Sequence, residues 1–293
     1  MSDPFVFSKV LCSLGEGPLW SPEHRCLFWV DIDNQRVLQQ GEADADTRIY
    51  EFDHPVSAFA REPGESLIVS TSRGVHRWQV GSAALDLVHP VEGDNPVTRS
   101  NDGRTDRLGG FWISTMGYNA EKEAGSLYRF GVSGLQLIKD KISIPNSICF
   151  SPQGEWAYFS DTPSGCIIRW PLDKATGLPA GEPELFVDIS ATGFGPDGSV
   201  VDAEGHLWNA QWGGARVVRY RPDGTQERVI ELPVSQPSCP AFGGADGKTL
   251  FITTARQDLS EEQLAREPLA GATFAVKLEI EGLFDPVIER ITA

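Results

Sequence analysis

The sequence predicts an all-β fold, a six-bladed β-propeller with four-stranded blades, forming a single domain over residues 1–293. Three observations predict it. Six short β-rich runs, LFWVDI, LIVSTS, FWISTM, WAYFSD, LWNAQW and LFITTA, begin at Leu27, Leu67, Phe111, Trp156, Leu207 and Leu250, so successive starts lie 40 to 51 residues apart. Each run follows a turn rich in Gly, Pro or Asp: SPEHR, REPGE, TDRLGG, SPQGE, DAEG and GADGK. Each is followed by a further strand-like run: QRVLQQ, GVHRWQV, GSLYRFGV, CIIRWPL, ARVVRYRP and ATFAVKL. With an apolar run such as SICFSP ahead of each turn, every unit holds three to four strands, which is the period of a propeller blade.

Composition agrees with this reading. Thirty glycines, twenty prolines, fifteen phenylalanines and only two methionines describe turns and short strands rather than long helices. Helical spacing is confined to DLSEEQLAR, residues 258–266, expected as a surface insertion in the sixth unit. The first segment, FVFSKVL, and the last, LFDPVIERI, are both strand-like. Pairing them in one blade would close the ring and remove exposed sheet edges.

Charge and motif content exclude several classes of function. Forty-one acidic residues against twenty-five basic ones give a formal charge of −16, which repels nucleic acid and anionic membranes, so neither is expected as a partner. No basic stretch leads into a long apolar one, and no run of eighteen apolar residues occurs, so a cytoplasmic protein is expected, as a monomer or weak homo-oligomer. Cys12, Cys26, Cys149, Cys166 and Cys239 are odd in number and lack any CxxC, which suits buried free thiols. The five histidines show no HxxxH or HxH spacing, and GxSxG is absent. Trp20, Trp112, Trp156 and Trp208 are expected in blade cores, whereas Trp212, in QWGG, follows the strands closely enough to reach a pocket mouth.

Aligning the units on their turns places Glu16, Val56, Asn101, Asn146, Asp197 and Cys239 at one structural position, at the opening of the strand nearest the axis. Singly, each polar residue here reads as a turn residue. Jointly, two carboxylates and two amides converging on one channel, with no Lys or Arg in the same register, would repel unless a cation sat among them. Oxygen donors without Cys or His favour Ca²⁺, Mg²⁺ or Mn²⁺, and carboxylates also accept Zn²⁺.

The segments GEGPLW (15–20), RSNDG (99–103), ISTMG (113–117), PNSICFSPQG (145–154), GPDGSVVDAEGHLWNAQWGG (195–214), LPVSQPSCPAFGG (232–244) and ITTAR (252–256) resemble, in order and over nearly the whole chain, the gluconolactonase family that includes regucalcin, also called senescence marker protein. The resemblance implies a six-bladed propeller with one divalent cation, calcium first. Its ligands would be the glutamate of GEGPxW, here Glu16, the asparagine Asn146 and the aspartate of PDG, Asp197. It further implies substrate contacts at Arg99 and Asn101, and Asp197 as the base that takes a proton from the attacking water, with water activated by the cation as the alternative. Animal members carry a glutamate three residues after the methionine of the TM segment; here that position is Asn119, which with Arg99 and Asn101 would position the substrate, and Glu121 and Glu123 lie downstream. The implied activity is metal-dependent hydrolysis of a sugar 1,4- or 1,5-lactone, such as a glucono-, galactono-, arabinono- or xylonolactone, to the aldonic acid. A non-catalytic calcium-binding regulatory propeller and a broader ester or organophosphate hydrolase remain alternatives, because propellers host many functions.

Overall fold

Short runs rich in apolar residues and bounded by turns suit strands covered on both faces. In the computed structural model, which describes residues 3–289, the six runs are the second strands of six four-stranded antiparallel sheets. They span Cys26–Asp31, Ser66–Thr71, Phe111–Gly117, Trp156–Asp161, Leu207–Trp212 and Thr249–Thr254, and nearly every side chain in them is buried. Inside each lies an inner strand: Gly15–Ser21, Val56–Arg61, Thr98–Thr105, Pro145–Phe150, Gly195–Val201 and Pro237–Gly243. These inner strands touch one another in cyclic order, the first against the last, and surround the axis. The outer strands are mostly exposed and correspondingly polar, as in Arg48–Glu51 and Gln226–Glu231. The fold is therefore the expected six-bladed β-propeller, with hydrophobic clusters between neighbouring blades.

Ring closure differs from the expectation. The outermost strand of blade 6 is indeed N-terminal, Phe5–Ser8, but it pairs with Thr273–Lys277, Phe5 opposite Ala275 and Val6 opposite Phe274. The LFDPVIERI segment does not take part, and its Arg290 and Ile291 lie outside the described residues. Instead the chain crosses the channel end opposite the inner-strand openings, touching several blades in turn. Gly282 N–H donates to Gly247 O, Ile288 N–H to Arg61 O and Glu289 N–H to Gly109 O, while Arg104 Nη1 donates to both carboxylate oxygens of Asp285 at 3.0 and 3.1 Å. Pro286 lacks the N–H a ladder needs, and the segment meets strands only at isolated bridges, as Val287 does with Arg61.

Blades 3 and 5 share a buried brace. Asp106 Oδ1 accepts the Leu108 and Gly110 N–H groups of its turn, and its Oδ2 accepts Trp112 Nε1 at 3.0 Å and Arg129 Nε at 2.6 Å. Asp202 repeats this with the N–H groups of Glu204 and His206, with Trp208 Nε1 at 2.9 Å and with Arg219 Nε at 2.8 Å. A buried carboxylate saturated in this way fixes both its turn and the indole of the following strand.

The helix is shorter than expected, Glu261–Arg266. Ser260 caps it in a reciprocal box with Gln263, so the preceding Asp258 stands outside it, in a left-handed turn with φ 59°. Four of the five free cysteines are buried, as are Trp20, Trp112 and Trp208; Trp156 is half-buried beneath the Arg169 guanidinium. Among the described residues no helix is long and apolar enough to cross a membrane.

Candidate active site at the mouth of the channel

All six inner strands carry the same β-bulge near their openings. In blade 1, Glu16 pairs with Val30 and Leu19 with Phe28, so Gly17 and Pro18 share one partner, Trp29. The break recurs after Val56, Ser100, Asn146, Pro196 and Pro237. This corrects the expectation of a single position. Glu16, Val56 and Asn146 are the last paired residues, Asn101 and Asp197 the first of the two bulged residues, and Cys239 the second. The turns used for the alignment differ in length between blades, and counting back from them slips by a residue or two.

A bulge turns consecutive side chains toward the axis instead of alternating them between faces. Its first extra residue can require a left-handed backbone: Gly17 has φ 52°, and a Cβ there would stand 2.4 Å from Ser57 O, so GEGPLW needs its second glycine. Ser147, at the equivalent place in blade 4, takes φ 61° despite its side chain, while its hydroxyl donates to Asp197 O at 2.6 Å. That bond joins the strand of Asn146 to the strand of Asp197.

The residues predicted for the site come together. Glu16, Arg99, Asn101, Asn119, Asn146 and Asp197 all line one cavity of about 450 Å³. Arg99, Asn101, Asn146 and Asp197 form its buried floor with Glu16 half-buried beside them, whereas Asn119 stands exposed at the mouth with Tyr118 and Asp258. Trp212 lines the wall, as expected. Val56 and Cys239 are buried and contribute no lining.

Hydrogen bonds fix how the two floor amides face. Arg99 Nη1 donates to Asn101 Oδ1 at 2.9 Å, which leaves Asn101 Nδ2 to donate to Pro145 O at 2.9 Å and to Asn146 Oδ1 at 3.1 Å. Asn146 Nδ2 donates to Thr162 Oγ1 at 2.9 Å, and that hydroxyl donates to Pro196 O at 2.9 Å. Asn146 thus presents its oxygen to the centre of the cavity and keeps an acceptor lone pair. At the mouth, Glu121 folds back on Asn119, accepting from its N–H at 3.0 Å and from Nδ2 at 2.9 Å. Glu121 therefore orients Asn119 and is not part of the lining.

Asp102, in RSNDG, was missed as a site residue although its motif was visible. Its carboxylate accepts the Gly103 and Ile148 N–H groups at 2.8 Å each and adds a third buried negative charge on the axis. Burial pushes Glu16 up to about 8, helped by Asp102, and pushes Asp102 up to about 6. Asp197 is held well above the usual carboxylate range by burial and then by Glu16 and Asp102. The nearby arginines are committed elsewhere: Arg99 to Ser100 O and Asn101, Arg104 to Asp285 and Ile148 O. Crowded carboxylates and an oriented amide oxygen, with burial keeping the Cys239 thiol protonated, fit a hard divalent cation.

A second acidic group, Asp202, Glu204 and His206, has the proximity of a metal site but not its free valences. Both Asp202 oxygens are filled by its turn, Trp208 and Arg219, and Arg219 also holds Glu204. The matching Asp106 brace works without a histidine.

Fold and site together define a class: six-bladed propellers whose inner strands open onto a pocket of buried carboxylates and amides. The family model described as SMP-30/gluconolactonase/LRE-like region matches residues 14–256, and the chain belongs to that family. It is 33% identical to the 6-deoxy-6-sulfogluconolactonase of Pseudomonas putida over 279 residues, 94% of each chain. It is 34% identical to the L-arabinolactonase of Azospirillum brasilense, over 92% of this chain and 90% of the other. Among solved structures, a calcium-binding regucalcin from Agrobacterium tumefaciens superposes with a TM-score of 0.95 at 37% identity, covering 99% of this chain and 98% of that one.

Proposed function

We propose that this protein hydrolyses a sugar 1,4- or 1,5-lactone to the aldonic acid, using one divalent cation, calcium first, held by Glu16, Asn146 and Asp197. The observation that supports it best is the convergence of a buried and a half-buried carboxylate and a fixed amide oxygen on the floor of a cavity large enough for a monosaccharide. Relatives named as lactonases over almost their whole length support the reaction class.

The cation would offset the floor carboxylates and polarise the lactone carbonyl. The remaining work belongs to the chain. Arg99, Asn101 and Asn119 offer donors and acceptors for the sugar hydroxyls and hold the ester carbon over the floor. As the water oxygen bonds to that carbon, Asp197 takes its proton on a carboxylate oxygen; when the ring C–O bond breaks, the departing oxygen recovers a proton and becomes a hydroxyl.

The test is turnover of purified aldonolactones by metal-stripped protein to which Ca²⁺, Mg²⁺, Mn²⁺ or Zn²⁺ is restored. Hydrolysis should vanish on chelation and return with a cation. Glu16→Ala and Asp197→Ala should each lower kcat/KM by about a hundredfold or more while the far-UV spectrum stays unchanged. Near-normal activity in either variant would refute the assignment. The regucalcin neighbour described as calcium-binding favours one other reading, a binder without catalysis. Tight Ca²⁺ binding with no turnover of any lactone would select it.

A further inference from the structure

The charged residues at the cavity mouth differ in sign from what an anionic sugar requires. The lining contains one cationic side chain, Arg99, against three carboxylates, Glu16, Asp197 and Asp258. Arg99 is buried and hydrogen-bonded to Ser100 O and Asn101, and a further carboxylate, Asp33, acts on it through space. A divalent cation on the floor balances Glu16 and Asp197. What remains is Arg99 on the floor against Asp258 at the mouth and Asp33 behind Gln257, a local excess of one negative charge.

Both carboxylates are held in place. The sixth blade's insertion is clamped to blade 1 where the Arg256 and Gln257 N–H groups donate to Ser13 O at 2.8 and 2.9 Å. Asp33 Oδ2 accepts from Ser13 Oγ at 2.7 Å and from Gln257 Nε2 at 3.2 Å, which directs it toward a lining residue. The turn at Asp258 then presents that side chain, exposed, at the opening. A lactone whose carbonyl points to the buried floor directs its far end, the last carbon of the sugar chain, toward this opening.

We infer that Asp258 and Asp33 are specificity-determining residues that make the pocket accept lactones uncharged at the far end and reject those carrying a phosphate or sulfonate there. The inference rests on the lactonase reading of the same cavity. Like charges at a partly desolvated mouth lower both encounter and binding, and the effect weakens as salt screens it.

The experiment compares kcat/KM for glucono-1,5-lactone and 6-phosphoglucono-1,5-lactone at low and high salt, with cation-loaded wild-type protein and the variants Asp258→Asn and Asp33→Asn. Wild type should prefer the uncharged lactone by at least about tenfold at low salt. Each variant should narrow that preference severalfold, and added salt should narrow it in wild type more than in the variants. Equal turnover of both lactones by wild type, or a ratio unchanged in both variants, overturns the inference and leaves the lactonase reading standing. No turnover of either lactone removes the lactonase reading and the inference together.

Discussion

At the scale of single residues, the dominant physical fact is charge held without solvent. Glu16 titrates at about 8 in the folded protein against an ordinary value of 4.5, because burial and Asp102 disfavour its charged form. A carboxyl raised in this way binds its proton more tightly folded than unfolded. Its contribution to stability is fully present below the unfolded value and is lost as pH rises through about 8. Metal-free protein should therefore melt at progressively lower temperature between about pH 4.5 and pH 8. A divalent cation should raise the melting temperature more at pH 8 than at pH 5, with proton release on binding. Thermal melts with and without chelator check this, and a cation effect independent of pH would refute it. The same residues show what was legible beforehand. Glu16, Asn146 and Asp197 stand beside glycine or proline in recognisable segments, whereas the charge of Asp102 on the axis and the pairing of Glu121 with Asn119 depend on distances that no spacing encodes.

At the scale of the element, two devices decide what the strands can do. The bulge near the opening of every inner strand brings neighbouring side chains to the axis, and its register is independent of the turns, whose lengths differ between blades. The Asp–Trp–Arg brace fixes the opposite ends in blades 3 and 5. Asp202→Ala would leave the Arg219 guanidinium, 2% exposed, and the Trp208 N–H without their shared acceptor. Arg219 keeps Glu204 and Glu227 as partners, so the loss is that of an unsatisfied buried donor, about 1–3 kcal/mol. Asp106→Ala should cost more, about 3–5 kcal/mol, because among the described residues Arg129 pairs with no other carboxylate. Denaturant unfolding measures both, and because neither aspartate lines the cavity, a fold that survives should retain its cation affinity. An Asp202→Ala variant that lost less than about 1 kcal/mol would show that the brace is dispensable.

At the scale of the whole molecule, closure couples the blades. We infer that the chain is one domain, since the first and last inner strands touch and the N-terminal strand completes the sixth blade. Deleting residues 1–8 should expose the Thr273–Lys277 edge, lower the melting temperature and promote aggregation. The melt should remain a single transition, and separate transitions for two parts of the chain would contradict the one-domain reading.

The sequence by itself determined the six-fold repeat, the class of fold and the polar residues that meet at the channel mouth. Blade period and buried-strand composition are local properties, written in turns and short apolar-rich runs. Tertiary structure alone decided which segment closes the ring, because FVFSKVL and LFDPVIERI look equally strand-like and only three-dimensional neighbours distinguish a ladder from a strap across the channel. It also decided the bulge register, the burial that raises the axial carboxylates, and the placing of Asp258 at the mouth with Asp33 behind Gln257. Each of these depends on contacts between residues from different blades, where burial and charge are set by neighbours distant in the chain.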